Sequence, residues 1–518
     1  MLRTFRNLGR LWAIARSFAQ HDALFLLEVH PLGRSGARLA KGLWRPRKDL
    51  QHLRPGERLA LALTALGPTF IKFGQALSIR ADLLGEQVTA DLTQLQDRLP
   101  PFPFAQAKAT IEEDFGAPLL ALYARFDETP IAAASIAQVH FAVDTDGNEV
   151  AVKVLRPGVK AAFARDVDAL LWLAELAERH APHLTRLKPV EVVRTFAESV
   201  RIEMDLRFEA AAAQEIAENF AGDSTFRVPG VDWQRTAERV LTLERVSGAR
   251  VDDHAAVAAL GIDSVAVVKT AAEVFFKMVF RHGFFHADMH PGNLFVTTDG
   301  VIIGMDFGIM GRVDAATRKT LGEMLLGFLT RDYRRVAEVH VAAGFVPADK
   351  SVDAFAQACR SIAEPILGKP IAEISIARLL GQLFQITETF EMQTQPQLLL
   401  LQKSMLLAEG VGRTLAPQVN MWEMAQPLIE AWMRERLGPE GKVLDAVGTA
   451  LDTLEKLPRI VERMDTITAD MARGGLKLHP DTARALRGQE PGKARKVHWM
   501  VWLPWVVAAG LLAILILR

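Results

Sequence analysis

An α+β chain, mostly helical, is what the sequence predicts, and three observations predict it. Short alternating apolar runs come in pairs joined by Asp-Gly turns, as strands do. Long alanine-heavy stretches with helical periodicity surround them. An uncharged apolar stretch closes the chain. With 518 residues, half of them apolar, there is material for a large core and two or more folding units. Lys plus Arg equals Asp plus Glu at 61 each, so overall charge gives no reason to expect a nucleic-acid partner. The single cysteine, Cys359, excludes an intrachain disulfide and reads as a small buried hydrophobe in a reducing compartment.

The two ends come first. Arg3, Arg6, Arg10 and Arg16 interrupt any long apolar run at the amino terminus, which argues against a signal peptide. Leu2, Phe5, Leu8, Leu11 and Trp12 fall between them at helical spacing. Such a helix suits either an anionic lipid surface or the protein's own body. At the other end, VHWMVWLPWVVAAGLLAILIL from Val497 to Leu517 is long enough, at about 30 Å, to cross a hydrocarbon core. Trp499, Trp502 and Trp505 sit where an interfacial belt would lie. Lys493, Arg495 and Lys496 precede the stretch, so the positive-inside rule places the bulk of the chain in the cytoplasm. The expectation is a single-pass anchor in the cytoplasmic (inner) membrane, with Pro504 keeping a buried apolar helix as the alternative.

Between the ends, AQVHFAVDTDGNEVAVKVL at 137–155 reads as two strands joined at Asp144-Thr145-Asp146-Gly147. Val150, Val152 and Val154 share one face of the second strand, so Lys153 projects from the other. Helices are expected over 157–220, strands at VPGVDW and RVLTLERV within 228–246, and helix again from about Ala255 to Arg281.

HADMHPGN at 286–293 then raises a question, because two histidines and an aspartate within five positions could hold a metal. That would need a helix to bring both rings to one face, and Pro291 and Gly292 argue for a loop. The residues after the loop settle the question. LFV, a TTDG turn and VIIGMDFG form a second hairpin whose end delivers Asp306-Phe307-Gly308. In the protein-kinase pattern a loop aspartate is followed five residues on by asparagine, and a DFG comes after a short hairpin. Asp288 and Asn293 have that spacing, and Lys153 in VAVK matches the phosphate-gripping lysine. Kinase chemistry needs an acid to orient or deprotonate the nucleophile, an amide and an acid to hold Mg2+, and a lysine on the phosphates. The fold class therefore becomes a bilobal protein-kinase-like α+β fold, mostly helical, with an N-terminal helical extension and a C-terminal transmembrane helix.

AAASIAQVH, VAVK, the E-x-D of Glu203 and Asp205, HADMHPGN, MDFG and above all KFGQ at Lys72–Gln75 resemble the UbiB family of ABC1-type atypical kinase-like proteins, over roughly residues 20–440. Met289 departs from the proline usual in that loop. It stands at a position that binds no ligand, so the change bears on loop rigidity and not on chemistry.

The resemblance implies that K-x-G-Q folds the amino-terminal extension across the site, with Lys72 facing the acids of E-x-D, so that Lys72, Glu203, Asp205 and Asp288 form the catalytic set. It casts Asp288 as proton acceptor, Asn293 and Asp306 as Mg2+ ligands, and Lys153 as the phosphate grip. The loop Ile131, Ala132, Ala133, Ala134, Ser135, Ile136, Ala137, Gln138 and Val139 becomes the nucleotide contact. ATP and Mg2+ are the implied cofactors. His286 takes the structural place of the kinase-loop histidine, and His290 orients the loop.

The residues themselves add three points. Methyl groups at 132–134 crowd the space where a typical kinase has glycines, so the lid over the phosphates is stiff. Lys72 lies in an amphipathic helix, and VRIEMDLRFEAAA reads as one helix in which Glu203 and Asp205 cannot serve one partner equally. Glu209 has the type and place to pair with Lys153, and is preferred over Glu203. Beyond Gly308 the chain runs into a helix with no activation segment, which favours ATP hydrolysis or a small lipophilic acceptor over a protein substrate.

The expected domains are an extension (1–117), an N-lobe with inserted helices (118–247), a C-lobe (248–435), a helical linker (436–496) and the anchor (497–518). The resemblance implies support of isoprenoid-quinone (ubiquinone) biosynthesis by an ATPase at the membrane. The expected partners are membrane lipids, quinone precursors or quinone-biosynthesis enzymes, and a second copy of the chain. A small-molecule or lipid kinase and a nucleotide-binding scaffold are the rival readings.

Overall fold

The structure is a computed structural model. It describes residues 2–437 apart from 26–36, 39, 79–83, 93–94, 96–98, 181–187 and most positions between 368 and 420. The compact unit spans Met1–Glu435, and the second, Arg436–Arg518, lies almost wholly outside the described residues. The expected anchor at 497–518 and linker at 436–496 fall there too. Among the described residues no helix is long and apolar enough to cross a membrane.

The N-lobe sheet has the order β1 (Tyr123–Phe126), β3 (Ala137–Asp144), β4 (Glu149–Leu155), β6 (Val240–Glu244), with β2 (Ala132–Ala133) paired to β3. Its centre is the hairpin read from the sequence, with Val139 opposite Lys153 and Val143 opposite Glu149. The Asp144 carboxylate accepts the backbone N–H groups of Asp146 and Asn148 and closes the turn. Val150, Val152 and Val154 are buried against the helix Phe104–Phe115, with Ile111 and Tyr123. Lys153 accordingly leaves the opposite face. The expected strand at VPGVDW is absent. Only Val231 bridges Leu243, because Asp232 caps a 3-10 turn at Trp233–Arg235 and takes the chain out of the sheet.

The face that Lys153 leaves is covered by helices: α1 (Leu2–Gln20), α2 (Pro55–Leu66) and α3 (Pro68–Leu77) of the extension, and α4 (Val159–His180), α5 (Pro189–Glu203) and α6 (Leu206–Asn219) of the insertion. Leu59, Leu63, Phe70, Phe163, Phe196 and Leu206 form one core with Ala137, Leu155 and Leu241 of the sheet. Gly74 of K-F-G-Q is where Leu63 and Leu95 press on α3. A Cβ there would lie 2.4 Å from Leu95. Of the two readings of α1, the helix packs on the protein's own body. Arg10 pairs with Asp166 at 2.5 and 2.9 Å, and the Ser17 hydroxyl donates to the Ala62 carbonyl. Trp12 stays about half exposed (49 %) on its outer side.

The single helix read over VRIEMDLRFEAAA is two helices. Buried Met204 leaves helical geometry, and Asp205 sits in extended backbone as the N-cap of α6, accepting the Arg207 N–H. A second small sheet is formed by β5 (Phe226–Arg227), β10 (Ile302–Gly304), β9 (Leu294–Val296) and β7 (Ala249–Arg250), with β5 coming from before the expected lobe boundary at 247, and β8 (Phe284–His286) pairs with β11 (Met310–Arg312). The helix Ser264–Phe276 runs into a π turn, Lys277–His282, which ends at Gly283 in left-handed backbone (φ 68°) and delivers β8. Cys359 is buried in the helix Val352–Ala363.

Candidate active site

Lys153 is the hub. Its Nζ donates to both carboxylate oxygens of Glu209, at 2.8 and 2.9 Å, and to Oδ1 of Asp306 at 3.1 Å. Three elements meet in these bonds: β4 from the hairpin, the first turn of α6, and the residue two past β10. The expected choice of Glu209 over Glu203 is what the geometry has. Glu203, the last residue of α5, takes Lys72 of α3 instead, which lays the extension against this cluster.

The electrostatics follow from that packing. Burial works against the Lys153 ammonium, but Asp306 and Glu209 outweigh it and hold the lysine above its usual range, so it stays charged. The Lys153 charge holds the Asp306 carboxyl well below the usual carboxylate range, despite the cost of desolvation. Asp306 keeps about half of its side chain open to the cleft (53 %). Burial, opposed by Lys153 and reinforced by Asp306 and Glu203, pushes the Glu209 carboxyl up to about 7. Asp306 also sits in left-handed backbone (φ 58°), a geometry costing about 1–3 kcal/mol for a residue other than glycine.

The loop that carries Asp288 is laced through His286 to Met305, the residue that follows β10. This ring is buried at the end of β8. Its Nδ1 accepts the Asp288 N–H at 3.1 Å and its Nε2–H donates to the Met305 carbonyl at 3.0 Å, which sets one neutral tautomer. Burial holds its pKa below the usual histidine value. The Asn293 side-chain amide donates to the Asp288 carbonyl at 3.1 Å, leaving its Oδ1 as the oxygen a cation would use, and its own carbonyl accepts the Met305 N–H. His290 caps the 3-10 turn Pro291–Asn293 by accepting the Gly292 N–H. Both histidines are thus engaged in shaping the loop. Met289, the departure from the family pattern, is buried and serves as packing.

The loop 131–139 lies beside this cluster on β2 and β3. Ile131 and Ala132 are exposed, and Ala133 and Ala134 are half-buried. Ile136, Ala137 and Gln138 point into the protein, so they could meet a nucleotide only through backbone. Gln138 spends its side chain on the backbone of Phe102, accepting its N–H at 2.9 Å and donating to its carbonyl at 3.2 Å. Ser135 is fully buried and its hydroxyl has no hydrogen-bond partner among the described residues.

Asp205, expected in the catalytic set, has its carboxylate on Arg207 at 2.7 and 2.9 Å and at the head of α6. The helix break at Met204 turns Glu203 to Lys72 and leaves Asp205 to its own helix. Two further residues escaped the sequence reading. Arg156, just past β4, bonds three carbonyls around the alanine loop, and the Pro-Gly directly after it was the available signal. Ser404 donates from a buried position to the His286 carbonyl at 3.3 Å, and nothing in the local sequence marks it.

Magnesium and a nucleoside triphosphate fit this donor set. Asp306 and Asn293 supply the hard oxygens that Mg2+ prefers, Lys153 supplies a fixed charge for phosphate, and the Ser135 hydroxyl, without a partner among the described residues, sits buried in the adjoining loop. Gly308 leads within a few residues through β11 to the N-cap Asp314 of the helix Ala315–Leu329, with no peptide-docking segment between them.

The comparisons agree with this architecture. Residues 94–340 match the ABC1 atypical kinase-like domain and 359–420 the UbiB helical domain. The chain is 42 % identical to the probable protein kinase UbiB of Azotobacter vinelandii, over 91 % of this chain and 88 % of that one. It is 40 % identical to its counterpart in Pseudomonas putida, over 98 % of each. A solved structure of Rv3197 from Mycobacterium tuberculosis with erythromycin shares the fold at TM-score 0.51 and 24 % identity, covering 79 % of this chain and 98 % of that one. The kinase-like hub, the extension that roofs it and the extent of these matches lead to one conclusion: the chain belongs to the UbiB family of ABC1 atypical kinase-like proteins.

Proposed function

We propose that the protein is a Mg-ATP-dependent kinase-like ATPase that supports ubiquinone biosynthesis at the cytoplasmic face of a membrane. The observation that carries the reading is the Lys153 hub, in which one ammonium bridges Glu209 and Asp306 beneath a helical extension fixed by Lys72 and Glu203. The name carried by the UbiB relatives supports the quinone pathway.

In this reading Glu209 holds the ammonium in place, and Lys153 turns from Asp306 to the phosphates. Asp306 and Asn293 would hold the metal, which would supply charge neutralisation at the phosphoryl group. The Asp288 carboxylate takes the proton of the attacking hydroxyl, with its loop fixed through His286. The extension at Lys72 and the short path from Gly308 to Asp314 leave little room for a peptide, so water or a small lipophilic acceptor suits the cleft.

Charge distribution supports the membrane. The first 48 residues hold ten basic and two acidic side chains, against 51 and 59 in the remainder. Trp12 meets Trp44 edge to face at 5.6 Å, with Arg16 over the Trp12 ring and Leu43 exposed alongside in the sequence. An amphipathic, cationic surface of this kind suits anionic lipid headgroups.

The test measures phosphate release from ATP by the full chain, with and without anionic vesicles and a phenolic quinone precursor. Asp288→Asn should abolish turnover while Mg-ATP still binds. Equal rates in wild type and variant would overturn the ATPase reading, and a stable phosphorylated product in place of free phosphate would turn it into a small-molecule or lipid kinase.

A further inference from the structure

Arg156 leaves the end of β4 three residues after Lys153 and reaches back over the alanine-rich loop. Its backbone N–H donates to the Ile136 carbonyl at 2.7 Å. Its guanidinium donates to the Ser135 and Ala134 carbonyls, each at 3.3 Å, and to the Pro100 carbonyl at 3.0 Å. The same group lies 5.2 Å from the centre of the Phe102 ring, and Gln138 holds the Phe102 backbone from the other side. Three successive carbonyls of the loop, 134 to 136, are therefore tied to one residue, and that residue is tied to the segment 100–102 ahead of the helix Phe104–Phe115.

An arginine satisfying buried carbonyls is commonly scaffolding only. Here the carbonyls belong to the segment that carries the exposed and half-buried methyl groups of Ala132–Ala134 and the buried hydroxyl of Ser135, which has no partner among the described residues. A glycine loop can settle onto phosphates because its backbone is free to move. This loop has no glycine: the β2–β3 pairing and the Ala134 N–H to the Ala137 carbonyl hold it from within, and Arg156 holds its carbonyls from outside.

We propose that Arg156 is a positioning residue that clamps the alanine-rich loop over the nucleotide subsite, so that nucleotide binding depends on a lid ordered in advance. The inference rests on the nucleotide reading above, and its test separates the two. Preordering removes the entropy that binding would otherwise have to supply, so loss of the clamp acts on affinity more than on the rate at saturation.

The experiment compares the full chain with Arg156→Leu, Arg156→Lys and Arg245→Leu. The last is a control that removes a cation–π contact to Phe141 and an ion pair to Glu149 in the same lobe. Amide hydrogen exchange without ligand is read first. Arg156→Leu should raise exchange at 133–137 while the β3–β4 ladder near Val143 stays protected, and Arg245→Leu should leave the loop unchanged. Mg-ATP affinity is read next. Loss of the three guanidinium bonds should weaken binding by about tenfold in Arg156→Leu, with Arg156→Lys between it and wild type and the saturated rate changed less than about threefold. Loop exchange equal to wild type overturns the clamp whatever nucleotide does. Raised exchange with unchanged affinity makes Arg156 scaffolding and also overturns the proposal. A wild type that binds no Mg-ATP, with the exchange result as expected, removes the nucleotide reading while leaving the clamp in place.

Discussion

Lys153→Met removes the one cation that Glu209 and Asp306 share, and the structure fixes the consequence. In the wild type the buried Glu209 carboxyl is pushed up to about 7 by burial and by Asp306 and Glu203, with Lys153 opposing. Without that opposition its pKa must rise further. An acid whose pKa is raised on folding keeps a proton that the unfolded chain releases near its ordinary value. Stability relative to acid pH therefore falls as pH rises, by up to about 1.4 kcal/mol per pH unit, and levels off above the folded pKa. In the wild type this decline ends near pH 7. In Lys153→Met it should continue through pH 8, so the variant loses up to about 1 kcal/mol more than the wild type between pH 7 and 8. Asp306, half exposed, adds less because solvent screens it. Urea midpoints followed by tryptophan fluorescence from pH 5.5 to 8.5 give the comparison, and groups common to both proteins cancel in the difference. Parallel stability curves above pH 7 would refute the placement of Glu209 in a shared carboxylate cluster. Turnover of ATP by this variant should fall by about a hundredfold or more.

Two other substitutions separate backbone from chemistry. Asp306→Asn keeps a residue type that tolerates φ 58°, so the fold should hold within about 1 kcal/mol by thermal melting, while Mg2+-dependent turnover falls by about a hundredfold. His286→Phe fills the buried site but drops the bonds to Asp288 and Met305. It should cost about 2–3 kcal/mol in urea unfolding. It should also flatten part of the acid limb of stability. The wild-type ring, held neutral by burial, makes the fold lose stability as pH falls below the ordinary histidine value toward the lowered one, because only the unfolded chain gains the proton there.

The site was legible in the sequence wherever one element places one residue. Alternation in EVAVKVL gives the face of Lys153, and the two turns with Asp-Gly give both hairpins. Spacing alone set Asp288 against Asn293 and led to Asp306. Legibility failed where a short range of sequence serves two elements. VRIEMDLRFEAAA has helical periodicity throughout, and nothing local says that buried Met204 ends one helix while Asp205 caps the next. That break, set by tertiary packing, separates the roles of Glu203 and Asp205. VPGVDW failed likewise, because the Asp232 cap outweighed the β-branched pattern. Long-range anchors were invisible for a plainer reason: Arg156 to Pro100 and Ser404 to His286 join positions 56 and 118 residues apart.

Charge in the cleft carries one further consequence. Glu203, Glu209, Asp288 and Asp306 bring four carboxyl groups against two ammonium groups, Lys72 and Lys153, and a nucleoside triphosphate adds about four more negative charges. Lys153 is already engaged by Asp306 at 3.1 Å and by Glu209. The ammonium can turn to phosphate only if Asp306 gains another cation, so triphosphate and divalent ion should each strengthen the binding of the other by the same factor. ATP affinity in a chelator should be weaker than in Mg2+ by about a hundredfold, a coupling of about 2.7 kcal/mol. In Asp306→Asn the neutral amide leaves Lys153 with Glu209 alone, and that factor should shrink. Calorimetry of ATP binding to both proteins, with and without Mg2+, decides it. An ATP affinity in the wild type that ignores the metal would mean that Lys153 and Asp306 do not face the same ligand, and the hub would lose its role.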